Sequence, residues 1–85
     1  MERNLEEYKG KIFRHFKGDL YLLIDIVIHS ETREKLVIYK ALYDSCGVFA
    51  RPYNMFNEEV PKKKENPTGQ KYRFEYVEIE SVKNK

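Results

Sequence analysis

The residue types best suited to chemistry in this chain gather in one loop and one turn. His29-Ser30-Glu31-Thr32 places an imidazole, two hydroxyls and a carboxylate at consecutive positions, and Asp44-Ser45-Cys46-Gly47 carries the single cysteine. His29 and Glu31 have the His-x-Glu spacing of zinc deaminases, where the histidine holds metal and the glutamate moves protons. That chemistry also needs a Pro-Cys-x-x-Cys segment, which one cysteine cannot supply. A structural zinc site built from His15, His29 and Cys46 would have to complete its shell with carboxylates, so neither metal nor cofactor is expected. A small hydrolase acting through His29 and Glu31 is the weakest reading, because no nucleophile-elbow or oxyanion-loop signature accompanies Ser30 or Cys46. The simpler reading of Ser30 and Thr32 is a loop whose hydroxyls satisfy backbone donors, with His29 as a structural hydrogen-bonding residue.

A second group suits binding. Tyr39, Tyr43, Tyr53 and Phe56 with Arg51 can form an aromatic and basic face able to stack a base or dock a peptide. The competing reading makes these rings the core of a domain with seven Tyr, five Phe and no Trp. Lys62-Lys63-Lys64, with Lys71 and Arg73 nearby in sequence, is the one basic cluster and a candidate for phosphate contacts. Overall charge does not argue for nucleic acid, since sixteen basic residues are nearly balanced by fourteen acidic ones.

These groups need a scaffold, and the hydrophobic pattern supplies strands. Residues 1–10 read as a lead-in, either a short helix around Leu5 or a frayed end. Lys11 to Phe16 form a first strand, and Lys17-Gly18-Asp19 a turn. Leu20 to Ile28 (LYLLIDIVI) is a long strand, too short and too β-branched for a helix, with Asp25 placed at a bulge where its carboxylate reaches solvent. Lys35 to Tyr43 alternates, with Val37, Tyr39, Ala41 and Tyr43 on one side and Leu36, Ile38, Lys40 and Leu42 on the other. Asp44 to Gly47 makes a hairpin loop ending in a glycine suited to positive φ, and Val48 to Arg51 return as a strand that Pro52 stops. Residues 53–58 read as one helical turn, Pro61 to Gln70 as an exposed, mobile loop, and Tyr72 to Ile79 as a last strand with a bulge near Tyr76. Residues 81–85 form a tail.

Eighty-five residues allow one domain with a thin core, placed at 11–80. A lone cysteine in so small a domain favours a reducing cytoplasm, and MERNLEEYKGK lacks the apolar run of a signal peptide. No stretch approaches the length needed to span a bilayer, so no membrane partner is expected. Five short strands in so small a chain cover themselves most economically by closing into a bent antiparallel barrel of the Src-homology-3-like kind. Ala41-Leu42-Tyr43-Asp44 repeats a string found in Src-homology-3 domains, but it ends a central strand here and no tryptophan follows. A proline-peptide function does not carry over.

Several blocks in order carry a family resemblance: Arg14 to Gly18 (RHFKG), His29 to Thr32 (HSET), Val37 to Tyr43 (VIYKALY), Arg51-Pro52 with Met55-Phe56, and Arg73 to Tyr76 (RFEY). Across Phe13 to Val77 the chain resembles the bacterial domain of unknown function 1653. The resemblance implies a small bacterial domain with a Src-homology-3-like barrel and brings no established activity. The polar residues of those blocks, Arg14, His29, Ser30, Glu31, Thr32 and Arg51, are thereby marked as site candidates. With Tyr39, Tyr53 and Phe56 they define the expected ligand face of a non-enzymatic binding module, its partner single-stranded RNA or another nucleotide-containing ligand. The alternative is a protein-interaction or scaffold module docking through exposed apolar residues such as Met55.

Overall fold

Val37, Tyr39 and Ala41 are all buried on one side of the third strand, while Leu36, Ile38 and Lys40 between them keep part of their surface, as the alternation in the sequence requires. The computed structural model describes residues 3–78 and builds five antiparallel strands into one sheet: β1 (Ile12–His15), β2 (Leu20–Ile28), β3 (Lys35–Ala41), β4 (Val48–Pro52) and β5 (Phe74–Val77). A 3₁₀ turn at Leu5–Tyr8 precedes β1, and the short helix α1 (Tyr53–Phe56) follows β4. Among the described residues no helix is long and apolar enough to cross a membrane.

The sheet order is β4-β3-β2-β1-β5. The mostly β, five-stranded antiparallel architecture is as the sequence indicates, but the sheet is open and not the closed barrel expected. Its end strands have no ladder between them, and side chains fill the space there. Phe56 of α1 stacks flat on Phe74 of β5, with centroids 4.2 Å apart, and the Arg51 guanidinium of β4 lies 5.5 Å from the same ring. Five-residue β4 ends at Pro52, which cannot extend a ladder as donor, and the chain turns inward to bury Phe56.

The register explains which rings share a face. Phe13 lies opposite Tyr21 and Tyr76, Leu23 opposite Tyr39, Tyr39 opposite Phe49, Val37 opposite Arg51, and His15 opposite Phe74. All of these side chains project to the inner face. Between Leu23 and Asp25 the register shifts, so Ile24 is the extra residue of a bulge. As expected, Asp25 reaches solvent there. Its Oδ1 accepts from the Ile26 N–H and pairs with Lys9 at 3.3 Å, and both contacts hold its carboxyl below the usual carboxylate range. The bulge expected near Tyr76 is not present, since β5 pairs with β1 continuously from Phe74 to Val77. Ile79 and the 81–85 tail lie outside the described residues.

One further expectation is corrected, and one left open is resolved in favour of the short helix. Gly47 does not adopt positive φ; the hairpin loop turns through Asp44 (φ 50°) and Cys46 (φ 55°) instead. A Cβ at 47 would meet the half-exposed ring of Phe49 at 3.1 Å, so the glycine leaves that ring room to lie close to the loop. The N-terminal segment is also part of the packing. Leu5 is fully buried with Phe13, Leu23, Phe56 and Phe74, its N–H donates to the Tyr53 hydroxyl (3.0 Å), and Asn4 caps the turn by accepting from Glu6 N–H.

Candidate functional site

Where β4 and β5 face each other without pairing, the inner face forms an aromatic cup. Its floor is Tyr39 and Phe74, both buried, with ring centroids 5.5 Å apart. Tyr21 stands edge-on to both at 5.5 Å. Tyr43 meets Tyr21 edge-on at 5.6 Å, and their hydroxyls are 2.6 Å apart. Phe49, about half exposed, lies 5.7 Å from Tyr39, and the His15 ring lies 4.9 Å from Phe74. Edge-on ring pairs of this kind fix orientation as well as burying area. Burial together with the bond to Tyr43 pushes the Tyr21 hydroxyl well above the ordinary tyrosine range, so Tyr21 stays neutral.

Cations line the same place. Arg51 is half-buried, its Nε donates to the Tyr39 hydroxyl (3.2 Å), and no carboxylate pairs with it among the described residues. Arg73 pairs with Glu58 at 2.8 Å and lies over the Phe16 ring. His15 records the resulting field. Burial first, then the charges of Arg73, Lys17 and Arg51, bring its imidazole down to about 4, against a weaker opposing pull from Asp19. Its Nδ1 accepts from the Lys17 N–H (3.1 Å), so the neutral ring carries its proton on Nε2.

The residues expected from sequence fall in several places. Arg51 and Tyr39 meet in the cup, Arg51 presenting the polar edge and Tyr39 serving mainly as floor. Phe56 has no exposed surface, so it contributes to the core and not to a ligand face. Tyr53 lies behind the cup, bonded to Leu5 and covered by Lys35 Nζ at 4.9 Å from its ring. It lines, with Glu34, Lys35, Pro52, Asn54 and Met55, an open cleft of about 660 Å³. Arg14 projects to the outer sheet face, the opposite side from Phe13 and His15.

His29 to Thr32 form the β2–β3 hairpin loop beyond the Ile28–Lys35 pair. Along β2 at about 3.3 Å per residue the loop lies roughly 26 Å from Tyr21 and roughly 10 Å from the row of Ile26, Val37 and Arg51, so it sits past the Arg51 end of the cup. The loop's polar groups bond to its own backbone. His29 Nδ1 accepts from the N–H groups of Glu31 and Thr32 (both 3.2 Å), Thr32 Oγ1 accepts from Glu34 N–H (3.2 Å), and Arg33 takes φ 64° to close the turn. Ser30 and Glu31 are exposed on it. Lys62, Lys63 and Lys64 are exposed at the tip of the long loop. The second half of that loop is fastened to β1 by Thr68 Oγ1 donating to the Phe16 carbonyl (2.9 Å) and Gln70 Nε2 donating to that of Arg14 (3.0 Å).

Sequence reasoning alone did not place His15, Tyr21, Phe49 and Arg73 in the site. The missing signal was register. Once Tyr39 is an inward residue, its cross-strand neighbours Phe49 and Leu23 must face inward too, and Tyr21 follows from Leu23 by the two-residue period.

Comparison with known proteins adds a fold-level match. Residues 11–76 match a family model described as "Protein of unknown function (DUF1653)". Among solved structures, the chain is similar to a DUF1653 protein from Bordetella bronchiseptica, with 30% identity and a TM-score of 0.70, over 92% of this chain and 97% of that one. No curated protein matches the chain.

Proposed function

The chain belongs to the DUF1653 family of proteins of unknown function, and from that premise we propose that it is a non-enzymatic binding module whose cup takes a nucleotide-containing ligand, a short single strand of RNA being the concrete case. The observation that carries this reading is Arg51. A guanidinium held by Tyr39, set against the Phe74 ring and without a carboxylate partner among the described residues is a donor prepared for an anion. The surrounding rings offer faces and edges to a base, while Arg73 and Lys17 add positive potential at the rim. Each nucleotide carries both features the cup addresses, a planar ring and a phosphate.

Binding fits better than catalysis because both imidazoles are committed to backbone. Nδ1 of His15 holds the β1–β2 turn and Nδ1 of His29 holds the β2–β3 loop, which suits anchoring more than proton transfer. A protein partner is the second reading, favoured by Met55, which is 48% exposed beside the open cleft at α1. Titration with short single-stranded RNA of mixed sequence separates the two. Phosphate contacts make affinity fall steeply with salt, whereas an apolar interface changes little. Arg51→Ala is expected to weaken RNA binding about tenfold or more without unfolding the domain. Unchanged affinity would refute the cup.

A further inference from the structure

The imidazole of His15 has one ring nitrogen committed and one free. Nδ1 accepts from the Lys17 N–H (3.1 Å), while Nε2, which carries the proton, meets no acceptor among the described residues. The ring lies beside two aromatic neighbours, Phe16 at 4.6 Å and Phe74 at 4.9 Å, and cations stand near both. Arg73 and Lys17 lie over Phe16 at 5.6 Å and 5.9 Å, and Arg51 lies 5.5 Å from Phe74. Positive groups from three segments, the β1–β2 turn, β4 and the approach to β5, thus surround one unused N–H donor. Their charges are not equally free. Arg73 is paired with Glu58, whereas Lys17 and Arg51 have no carboxylate partner among the described residues. Asp19, the carboxylate that opposes them at His15, is exposed and acts more weakly than any of the three cations, and Tyr21, 6.2 Å from the imidazole, is neutral. The turn that carries these groups is fixed in advance. His15 N–H donates to the Asp19 carbonyl (2.8 Å), Gly18 N–H to the His15 carbonyl (2.7 Å), and Thr68 Oγ1 to the Phe16 carbonyl (2.9 Å). Donors already held in place lose little freedom when a ligand arrives.

We propose that this group is a site for a terminal phosphate, the 5′ or 3′ monoester of a nucleotide chain, held on His15 Nε2–H between Lys17 and Arg51; the inference rests on the nucleotide reading of the cup. Charge distinguishes a strand's end from its middle. An internal phosphodiester carries one negative charge, whereas a terminal phosphate carries about −1.5 to −2 near neutral pH and offers three acceptor oxygens. Two unpaired cations and one N–H donor match the monoester. The base of the same nucleotide is left to meet Tyr21 and Tyr43, whose rings stand edge-on to each other beside Phe74.

The test is the affinity of one short RNA in three forms, with a 5′ phosphate, with a 3′ phosphate and with neither, at a fixed moderate salt concentration. One phosphorylated form should bind about tenfold more tightly than the unphosphorylated form, or more, and the preferred end gives the direction of the strand in the cup. Lys17→Gln, at an exposed position, should cut that preference to about threefold or less. His15→Phe keeps a ring beside Phe16 and Phe74 but loses the Nε2 donor, and should cut it likewise. If His15→Phe fails to fold, Lys17→Gln decides. Lys40→Gln removes the same charge from the outer face of β3 and should leave the preference intact. Equal affinity for the three forms leaves the cup standing and overturns the terminal site, as does a preference that Lys40→Gln reduces as much as Lys17→Gln. Binding of none of the three removes the cup and the site together.

Discussion

Protonation of His15 gives a direct reading of the field inside the cup. In the folded chain its imidazole is brought down to about 4 from the ordinary 6.5, by burial first and then by Arg73, Lys17 and Arg51. The unfolded chain therefore binds the proton more readily, and between pH 6.5 and 4 the stability conferred by a neutral His15 is lost as pH falls. Below about 4 the contribution is flat, because both states are then protonated. The difference of about 2.5 units corresponds to at most about 3.4 kcal/mol, and since the ring is only partly buried, screening reduces the expected loss to about 1 kcal/mol. The assay is a proton-detected NMR titration of the His15 ring, paired with urea unfolding at pH 7 and pH 4.5 for wild type and His15→Gln. The wild-type chain should lose about 1 kcal/mol more than the variant on acidification. Arg51→Ala should raise the His15 titration toward its ordinary value, since it removes one of those three charges. A His15 that titrates near 6.5 in the folded protein, or that is unmoved by Arg51→Ala, would refute a positive cup.

Two stability predictions follow from the fold. Leu5→Ala empties a fully buried position under Phe13 and Phe56 and is expected to cost about 2–5 kcal/mol, measured by urea denaturation; a cost below about 1 kcal/mol would mean the N-terminal turn does not belong to the core. Arg33→Gly relieves a non-glycine residue at φ 64° in the hairpin loop and should leave stability unchanged or raise it by up to about 1 kcal/mol, read from the thermal midpoint; a clear loss would show that the Arg33 side chain makes a contact of its own.

Much of the scaffold is legible in the sequence because its signals are local. The alternation through Val37, Tyr39 and Ala41 depends on neighbours two residues apart, and Asp25 in an apolar run marks its bulge by the cost of burying a carboxylate. Barrel closure is a different kind of property. It depends on whether the last strand meets the fourth, and here the answer was decided by Phe56 of α1 stacking on Phe74, a contact between residues eighteen positions apart that no periodicity encodes. The site divides the same way. Arg51 and Tyr39 stand two cross-strand rows apart on one face and were both identified, whereas His29 to Thr32, the most chemically suggestive string, serves its own loop. Short polar residues beside a turn satisfy backbone donors at once, and that local use precedes any ligand. His15 and Tyr21 were missed since their place follows from cross-strand register rather than from residue type.

The most direct test of the binding cup is an amide-resolved NMR titration of wild type and Arg51→Ala with short single-stranded RNA at low and moderate salt. The account predicts shifts clustered on His15, Tyr21, Tyr43, Phe49 and Arg51 that weaken as salt rises, and affinity reduced about tenfold in the variant. Shifts confined to Lys62 to Lys64 or to the His29 to Thr32 loop, or equal affinity for both proteins, would contradict it.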